Sequence, residues 1–326
     1  MYLWLIRTFQ VLTCIVLGTF DACLTVVLRL LGLERDVYAR AWQRSLGPKP
    51  PPQFPPVHEP GEPNYPYSVW DYHGYIRTTI VVDYLDRAKV AALLPDYLEL
   101  APVPDAAADK HPVLFSFGFN EHFGPVWLPV KTISYMELLV SIPDTQLKDK
   151  SDGYVGPFYY PPRLWLNRLF PTVVGRLLGY RKMLGRIPTT ADSCTIRTLF
   201  GGEIARLKFT PCGISGPIAK IPAFGPWMRR ANQPIVTKVF FSNPLFTHFQ
   251  WEWNLAKGQQ AEVELEVLSS DFPVLAPGTH RWSPLRDGAS GAILVSSPFE
   301  WQIPFPRSVL DELVGQKKMA AGSEVA

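Results

Sequence analysis

Charge of either sign is scarce in this chain: 19% of the residues are Asp, Glu, Lys or Arg, and they leave a net charge of only +3. So small and scattered a surplus, with no basic stripe interleaved with aromatics, argues against a nucleic-acid partner. Cysteine is equally sparse. Cys14, Cys23, Cys194 and Cys212 show no CxxC spacing and no histidine at zinc-ligand distance, so neither a disulfide framework nor a metal site is signalled. The histidines, His58, His73, His111, His122, His248 and His280, stand apart without paired-ligand spacing. Neither GxxxxGK nor GxGxxG occurs, which leaves no phosphate or dinucleotide loop and no cofactor motif. Ser215 lies in "GISGP", but Pro217 and Pro222 occupy the place where the helix of a nucleophile elbow would run, so the segment reads as a turn.

What is present is apolar, proline-rich and unevenly distributed. With 326 residues, 47% of them hydrophobic, the chain is long enough for one or two globular domains with a sizeable core. Its 33 prolines and 13 tyrosines point to a loop-rich, strand-rich body. Between Arg7 and Arg29 the text "TFQVLTCIVLGTFDACLTVVL" carries a single charge, Asp21, and is about long enough to cross a hydrocarbon core of roughly 30 Å. Residues 1–33 are therefore expected to associate with a membrane, spanning it or lying in its interface. A cleaved signal peptide is the rival reading, although no clear A-x-A site follows. Arg29, Arg35, Arg40, Arg44 and Lys49 outnumber Glu34 and Asp36 beyond the apolar run, which places the body on the cytosolic side. "GPKPPPQFPPVHEPGEPNYPY", Gly47 to Tyr67, favours polyproline II and acts as a spacer, or else as a docking site for a proline-reading domain. The expected organisation is an anchor with a basic flank over 1–46, a linker over 47–68 and one domain over 69–326.

The body opens with "YIRTTIVVDY", a strand by its β-branched and aromatic content, followed by a short helix at "DRAKVAALL" that stops at Pro95. Further strands are predicted at "VLFSFGF", "TISYMELLVSI", "SCTIRTLF", "EIARLKF", "TKVFFS", "HFQWEWN" and "AEVELEVLSS". "LWLNRLFPTVVGRLLG" has apolar spacing that suits a helix broken or started near Pro171, and "PRSVLDELVGQ" reads as a short amphipathic helix. The fold class is α+β, predominantly antiparallel β: one large curved sheet or closed β-barrel with a few short helices, plus the N-terminal membrane helix.

Within "GYRKMLGR", Gly179 to Arg186, stands the only lysine between Lys150 and Lys208. A lysine amine is nucleophilic only when neutral, and apolar surroundings or neighbouring cations bring that about. Both are at hand here. Arg181 is adjacent, Arg176 and Arg186 are near, and Leu178, Met183, Leu184 and Ile187 supply apolar side chains. Taken alone, the residues favour a surface lysine with its head in water.

A resemblance favours the first reading. "LLPDYLEL" (Leu93 to Leu100), then Tyr135-Met136-Glu137 on a strand, then "WLNRLFPTVVGRLLGYRKMLG" (Trp165 to Gly185) follow in the order of the acetoacetate decarboxylase family. The resemblance places Lys182 at the family's Schiff-base lysine, with one residue fewer than usual between Gly175 and Tyr180. An ungapped alignment would put Met183 there instead; the gapped one aligns Tyr180, Lys182, Leu184 and Gly185 together. Met183 replaces the second lysine of the family's pair, Leu177 the glutamate after Gly-Arg, and Arg181 the proline before the lysine. Arg181 is then the candidate to supply the missing cation. The resemblance also implies proton-carrying acids at Glu137 and Glu121, and an arginine, Arg77 or Arg176, to hold a substrate carboxylate.

What this implies is a cofactor-independent lyase that decarboxylates a β-keto acid through a lysine imine. The bulky Trp127, Phe158, Tyr159, Tyr160 and Trp165 suggest a large apolar or polyketide-like substrate, as in secondary metabolism. Family members often assemble, so a homo-oligomer is a possible form. Two alternatives stay open: an aldolase or dehydratase using the same iminium, and a non-catalytic barrel that holds an apolar ligand. The anchor has a direct check. Deleting residues 1–45 is expected to release a body that stays in the supernatant when membranes are pelleted, and a truncated chain that still sediments with them would refute the tether.

Overall fold

The computed structural model describes residues 72–125, 133–150, 155–238, 244–287 and 289–305, together with six helical positions between Leu12 and Val27. The linker, most of the N-terminal apolar run, Trp127 and the helix expected at 306–316 lie outside the described residues. Among the described residues no helix is long and apolar enough to cross a membrane.

The first half of the body runs β1 (Tyr72–Asp86), α1 (Arg87–Ala91), β2 (Leu98–Leu100), β3 (Lys110–Pro125), β4 (Ile133–Leu147), β5 (Phe158–Leu166), α2 (Leu169–Leu177), β6 (Lys182–Arg186) and β7 (Ser193–Thr198). The second half runs β8 (Glu203–Pro217), α3 (Gly225–Ala231), β9 (Ile235–Thr237), β10 (Leu245–Trp251), β11 (Lys257–Val267), β12 (Gly278–Trp282) and β13 (Gly291–Phe305). All thirteen strands join one sheet. Its pairings are antiparallel except where β5 meets β6 and β9.

Of the two forms expected, one large sheet or a closed barrel, the strands form one sheet that does not close as a single barrel. Its pairings make two circuits: β5–β9–β10–β13–β1–β3–β4 returning to β5, and β5–β6–β7–β8–β11–β13–β1–β3–β4 returning to β5. Five strands, β13, β1, β3, β4 and β5, belong to both. The first circuit closes through one bridge, Tyr159 to Ile235. A strand shared by two circuits has an interior on each face, so it loses the alternation of a half-buried strand. In β1 even residues such as Ile76, Ile80 and Val82 enter one apolar cluster while Val81 enters the other. In β5 Tyr159, Leu164 and Leu166 face one cluster, Tyr160 and Trp165 the other. Each fully buried Phe or Ile contributes roughly 2 kcal/mol, so these two clusters, not the surface ion pairs, hold the sheet together.

Local signals place the helices. Asp86 caps α1 by accepting from the Lys89 backbone N–H at 2.9 Å. Pro171 is the third residue of α2, where its missing N–H costs no intrahelical bond, while the preceding "LWL" belongs to β5. "GISGP" is the end of β8, not a turn, because its backbone pairs with β11 from Lys257 to Gln259 and Gly213 and Gly216 take up the irregularity at positive φ.

Helix α3 is fixed to β4 by a part-buried charge network. Arg230 donates to Asp144 Oδ2 at 2.7 Å and to Asp105 Oδ1 at 2.5 Å, and Gln233 exchanges two hydrogen bonds with Asp144. The clamp positions Ala231 and Ile235, which form part of the wall described below. Replacing Arg230 with Met should destabilise the fold by about 2–4 kcal/mol, because it strands Asp144 without its cation. The check is a urea melt: the midpoint should fall with an unchanged slope, and an unchanged midpoint would dismiss the clamp.

Candidate active site

The connection from β5 to β6 builds the site. Because β6 lies parallel to β5, the chain must cross over, and α2 is that crossover. The helix ends in a Schellman cap. Gly179 adopts φ 80°, its N–H reaches Arg176 O at 3.0 Å, and the Tyr180 N–H reaches Gly175 O at 3.0 Å. Glycine is required at 179 by that φ and because a Cβ would come within 2.7 Å of the Lys238 carbonyl oxygen. The cap turns the chain straight into β6, whose alternation sends Lys182 inward and leaves Met183 exposed.

Lys182 is only 5% exposed. Its stem lies against the bare face of Gly175, where a Cβ would collide with Lys182 Cδ and Cε and approach Nζ to 2.7 Å. Nζ donates to Pro171 O at 3.2 Å, and the rings of Tyr180 and Trp301 lie 5.4 and 5.5 Å away. Burial lowers the amine's pKa from 10.5 to about 8, against the opposing pull of Glu137. No arginine is among the causes. The cationic niche expected from the sequence is therefore replaced by desolvation. Arg181 and Arg176 are both exposed, and Arg176 instead donates from Nε to Lys182 O at 2.6 Å, tying the start of β6 to α2.

Lys182 and Glu137 line one cavity of about 60 Å³. Apart from Ser116 its walls are otherwise apolar or aromatic: Ile76, Leu139 and Leu164, the three tyrosines 135, 159 and 180, and Phe249, Trp251 and Trp301 among them. Of the wall residues only Leu139 and Phe249 are part-exposed, which marks the side on which it opens. Strand register brings the two charges together. Leu139 and Lys182 both pair with Leu164, one from each side of β5, and Glu137 is two residues along β4 on the same face as Leu139. Burial raises the pKa of Glu137, while Lys182 and the side chain of Asn120 favour its charged form. Asn167 accepts from the Met136 backbone N–H at 2.8 Å and so pins β4 beside Glu137. The Tyr180 hydroxyl is held by Thr247 Oγ1, and burial raises the pKa of that phenol.

Of the residues singled out by sequence, Lys182, Glu137 and Tyr180 come together, and Arg77 and Glu121 do not join them. Arg77 follows the cavity residue Ile76 and points to the other face, where it pairs with Glu121 at 3.1 Å. Among the described aromatics expected to form the pocket, Tyr159 lines it, while Phe158, Tyr160 and Trp165 enter the opposite cluster. The departures from the family pattern also fall outside. Met183 is 41% and Leu177 72% exposed, so neither reaches the cavity. Sequence reading missed Gly175, Asn120, Tyr135, Trp251 and Trp301 as site residues. Tyr135 was signalled by sharing a strand face with Glu137; Trp301 was hidden in β13, whose text is broken by Pro298 and Pro304.

The model for Acetoacetate decarboxylase (ADC) matches residues 54–216, half of the chain. The chain belongs to the acetoacetate decarboxylase family. No curated protein matches it. Among solved structures it is similar to the enduracididine biosynthesis enzyme MppR complexed with pyruvate, at 16% identity and TM-score 0.47 over 78% of this chain and 96% of that one. It is also similar to an acetoacetate decarboxylase-like enzyme from Sphingomonas wittichii RW1, at 15% identity and TM-score 0.48 over 76% and 98%. Lys182 and Glu137 fall inside the matched region, whereas Ala231, Ile235, Phe249, Trp251 and Trp301 follow it.

The depressed amine carries a stability cost whose sign can be tested. The unfolded chain keeps the lysine proton up to its ordinary 10.5, whereas the folded chain releases it near 8. Folding is thus penalised in full below about 8, and the penalty fades as pH rises towards 10.5. Lys182→Met should be more stable than the parent at pH 7, by up to about 3 kcal/mol, with a gain that shrinks at higher pH. Denaturant melts at several pH values measure this; equal stabilities with no pH trend would mean that the amine ionises as an ordinary lysine.

Proposed function

We propose that the chain is a lysine-imine lyase that decarboxylates a β-keto acid. One observation carries the reading: a buried amine with a pKa near 8 shares a largely apolar cavity with a carboxyl group whose own pKa is raised. Burial disfavours the charged form of both groups, so the amine gives up its proton nearer neutrality than a free lysine and the carboxyl group keeps its own more readily, which favours the forms that attack a ketone and later give up a proton.

The chemistry follows from those two groups. Neutral Lys182 adds to the substrate ketone, and loss of water leaves a protonated imine. The bond to the carboxylate breaks, carbon dioxide departs, and its electron pair moves into the imine to form an enamine. Glu137 gives its proton to the enamine carbon, and water then hydrolyses the new imine to release the ketone and restore the amine. The Tyr180 and Trp301 rings stand within cation–π range of the nitrogen and favour the iminium. Lys182 and Glu137 are the charged side chains among the described walls, so the substrate carboxylate meets no guanidinium and its negative charge is poorly solvated until it leaves.

A cavity of about 60 Å³ takes roughly four to six water-sized atoms. It encloses the reacting end of a substrate, and the rest of a large apolar one must leave past Leu139 and Phe249. The absence of an arginine from the described walls also favours the second reading, an aldol or dehydration reaction of an uncharged carbonyl compound on the same iminium. Residues 1–33 would tether this chemistry to a membrane with the body in the cytosol.

Trapping separates the readings. Incubation with a β-keto acid and borohydride should add the mass of the reduced ketone to the peptide containing Lys182, and Lys182→Ala should abolish the adduct. Release of carbon dioxide marks the decarboxylase, and an adduct without it marks the aldol-type enzyme. No adduct at any pH between roughly 6 and 9 would leave a ligand-binding protein with an ordinary lysine.

A further inference from the structure

Asn120 stands on the inward face of β3 with no exposed surface; neither its Oδ1 nor its Nδ2 makes a well-aligned hydrogen bond, although its side chain lies near enough to Glu137 to favour the charged carboxylate. A buried amide without well-formed hydrogen bonds is costly to fold. Leucine would fill the same space without the cost, so packing does not account for asparagine here. Its neighbours suggest what does. Asn120 pairs with Ile76 on β1 and Tyr135 on β4, and two residues back on the same face Gly118 pairs with Glu137. The amide is thus set diagonally across one strand pair from the Glu137 carboxyl, whose charged form it favours.

The groups that face Glu137 are Lys182 from β6, Tyr180 from the turn before it, Tyr159 from β5 and Tyr135 from its own strand. Lys182 as an ammonium can only donate. The Tyr159 hydroxyl is bonded to Ser141 Oγ at 2.5 Å and that of Tyr180 to Thr247. A proton carrier needs a neighbour that donates to its carboxylate and accepts from its acid, and a carboxamide does both by turning over, Nδ2 for one form and Oδ1 for the other.

We propose that Asn120 is a positioning residue that pairs with Glu137 in both protonation states, so that the carboxyl group can lose and regain its proton without either form being left unpaired in a dry site. The inference rests on the reading of Glu137 as the proton carrier of an imine-forming enzyme.

The test uses the full chain with 2-butanone in D2O, because an imine at Lys182 together with a working base exchanges the protons next to the carbonyl whatever the natural substrate is. Asn120→Leu should slow that exchange at least tenfold while the borohydride adduct on Lys182 forms as in the parent. The pH at which Glu137 becomes a base should rise by about one unit, since its carboxylate loses a donor, and Asn120→Ser, which can still donate and accept, should recover part of the rate. A merely structural asparagine predicts the opposite: Asn120→Leu would melt at the same or a higher temperature and exchange at the parent rate with the parent pH midpoint, which overturns the proposal. If the parent forms no adduct and exchanges nothing, the imine reading falls instead. Infrared titration of the Glu137 carboxyl in parent and Asn120→Leu then still decides the pairing: a raised midpoint upholds it and identical midpoints refute it.

Discussion

The removal of one amine from water governs the site. Lys182 is buried by three local devices acting together: the parallel return of β6 beside β5, the Schellman turn at Gly179 and the missing side chain at Gly175. None of them is a charge. Desolvation lowers the proton affinity of the lysine, and the nearest charged wall residue, Glu137, works in the opposite direction. The arginines that surround the lysine in the text do not surround it in space, because strand alternation and helix exposure carry them outside.

The two circuits of the sheet explain how one chain keeps two buried charge systems apart. Five shared strands have an interior on each side, and neighbouring residues on them enter different interiors. Ile76 and Arg77 are one peptide apart, yet the first lines the lysine cavity and the second pairs with Glu121 behind the sheet. Asn120 and Glu121 divide in the same way. A carboxylate and a guanidinium that neutralise each other on the far face leave the cavity with one amine and one acid, the combination in which burial favours the neutral forms of both.

The chain also divides the work along its length. The segment matched by the family holds Lys182 and Glu137, while much of the aromatic wall and Arg230 of the clamp come after it. The substitutions at Leu177 and Met183, which look like losses of family chemistry in the text, sit on the exposed side of α2 and β6 and leave the cavity unaltered.

Much of this could be read without coordinates. Helix α1 and its proline stop, the start of α2 near Pro171, seven strand cores and the pairing of Tyr135 with Glu137 on one face follow from local pattern, because capping, proline geometry and period-two alternation act over a few residues. β5 and β13 were illegible for the same reason that they matter: buried on both faces and interrupted by prolines, they lack the alternation that announces a strand. Sequence by itself determined that a lone lysine would follow a helix broken or started near Pro171, and that Glu137 would share a strand face with Tyr135. Only the tertiary structure decided which neighbours that lysine meets, since the closing of two circuits, not proximity in the chain, selects the interior into which each side chain is sent.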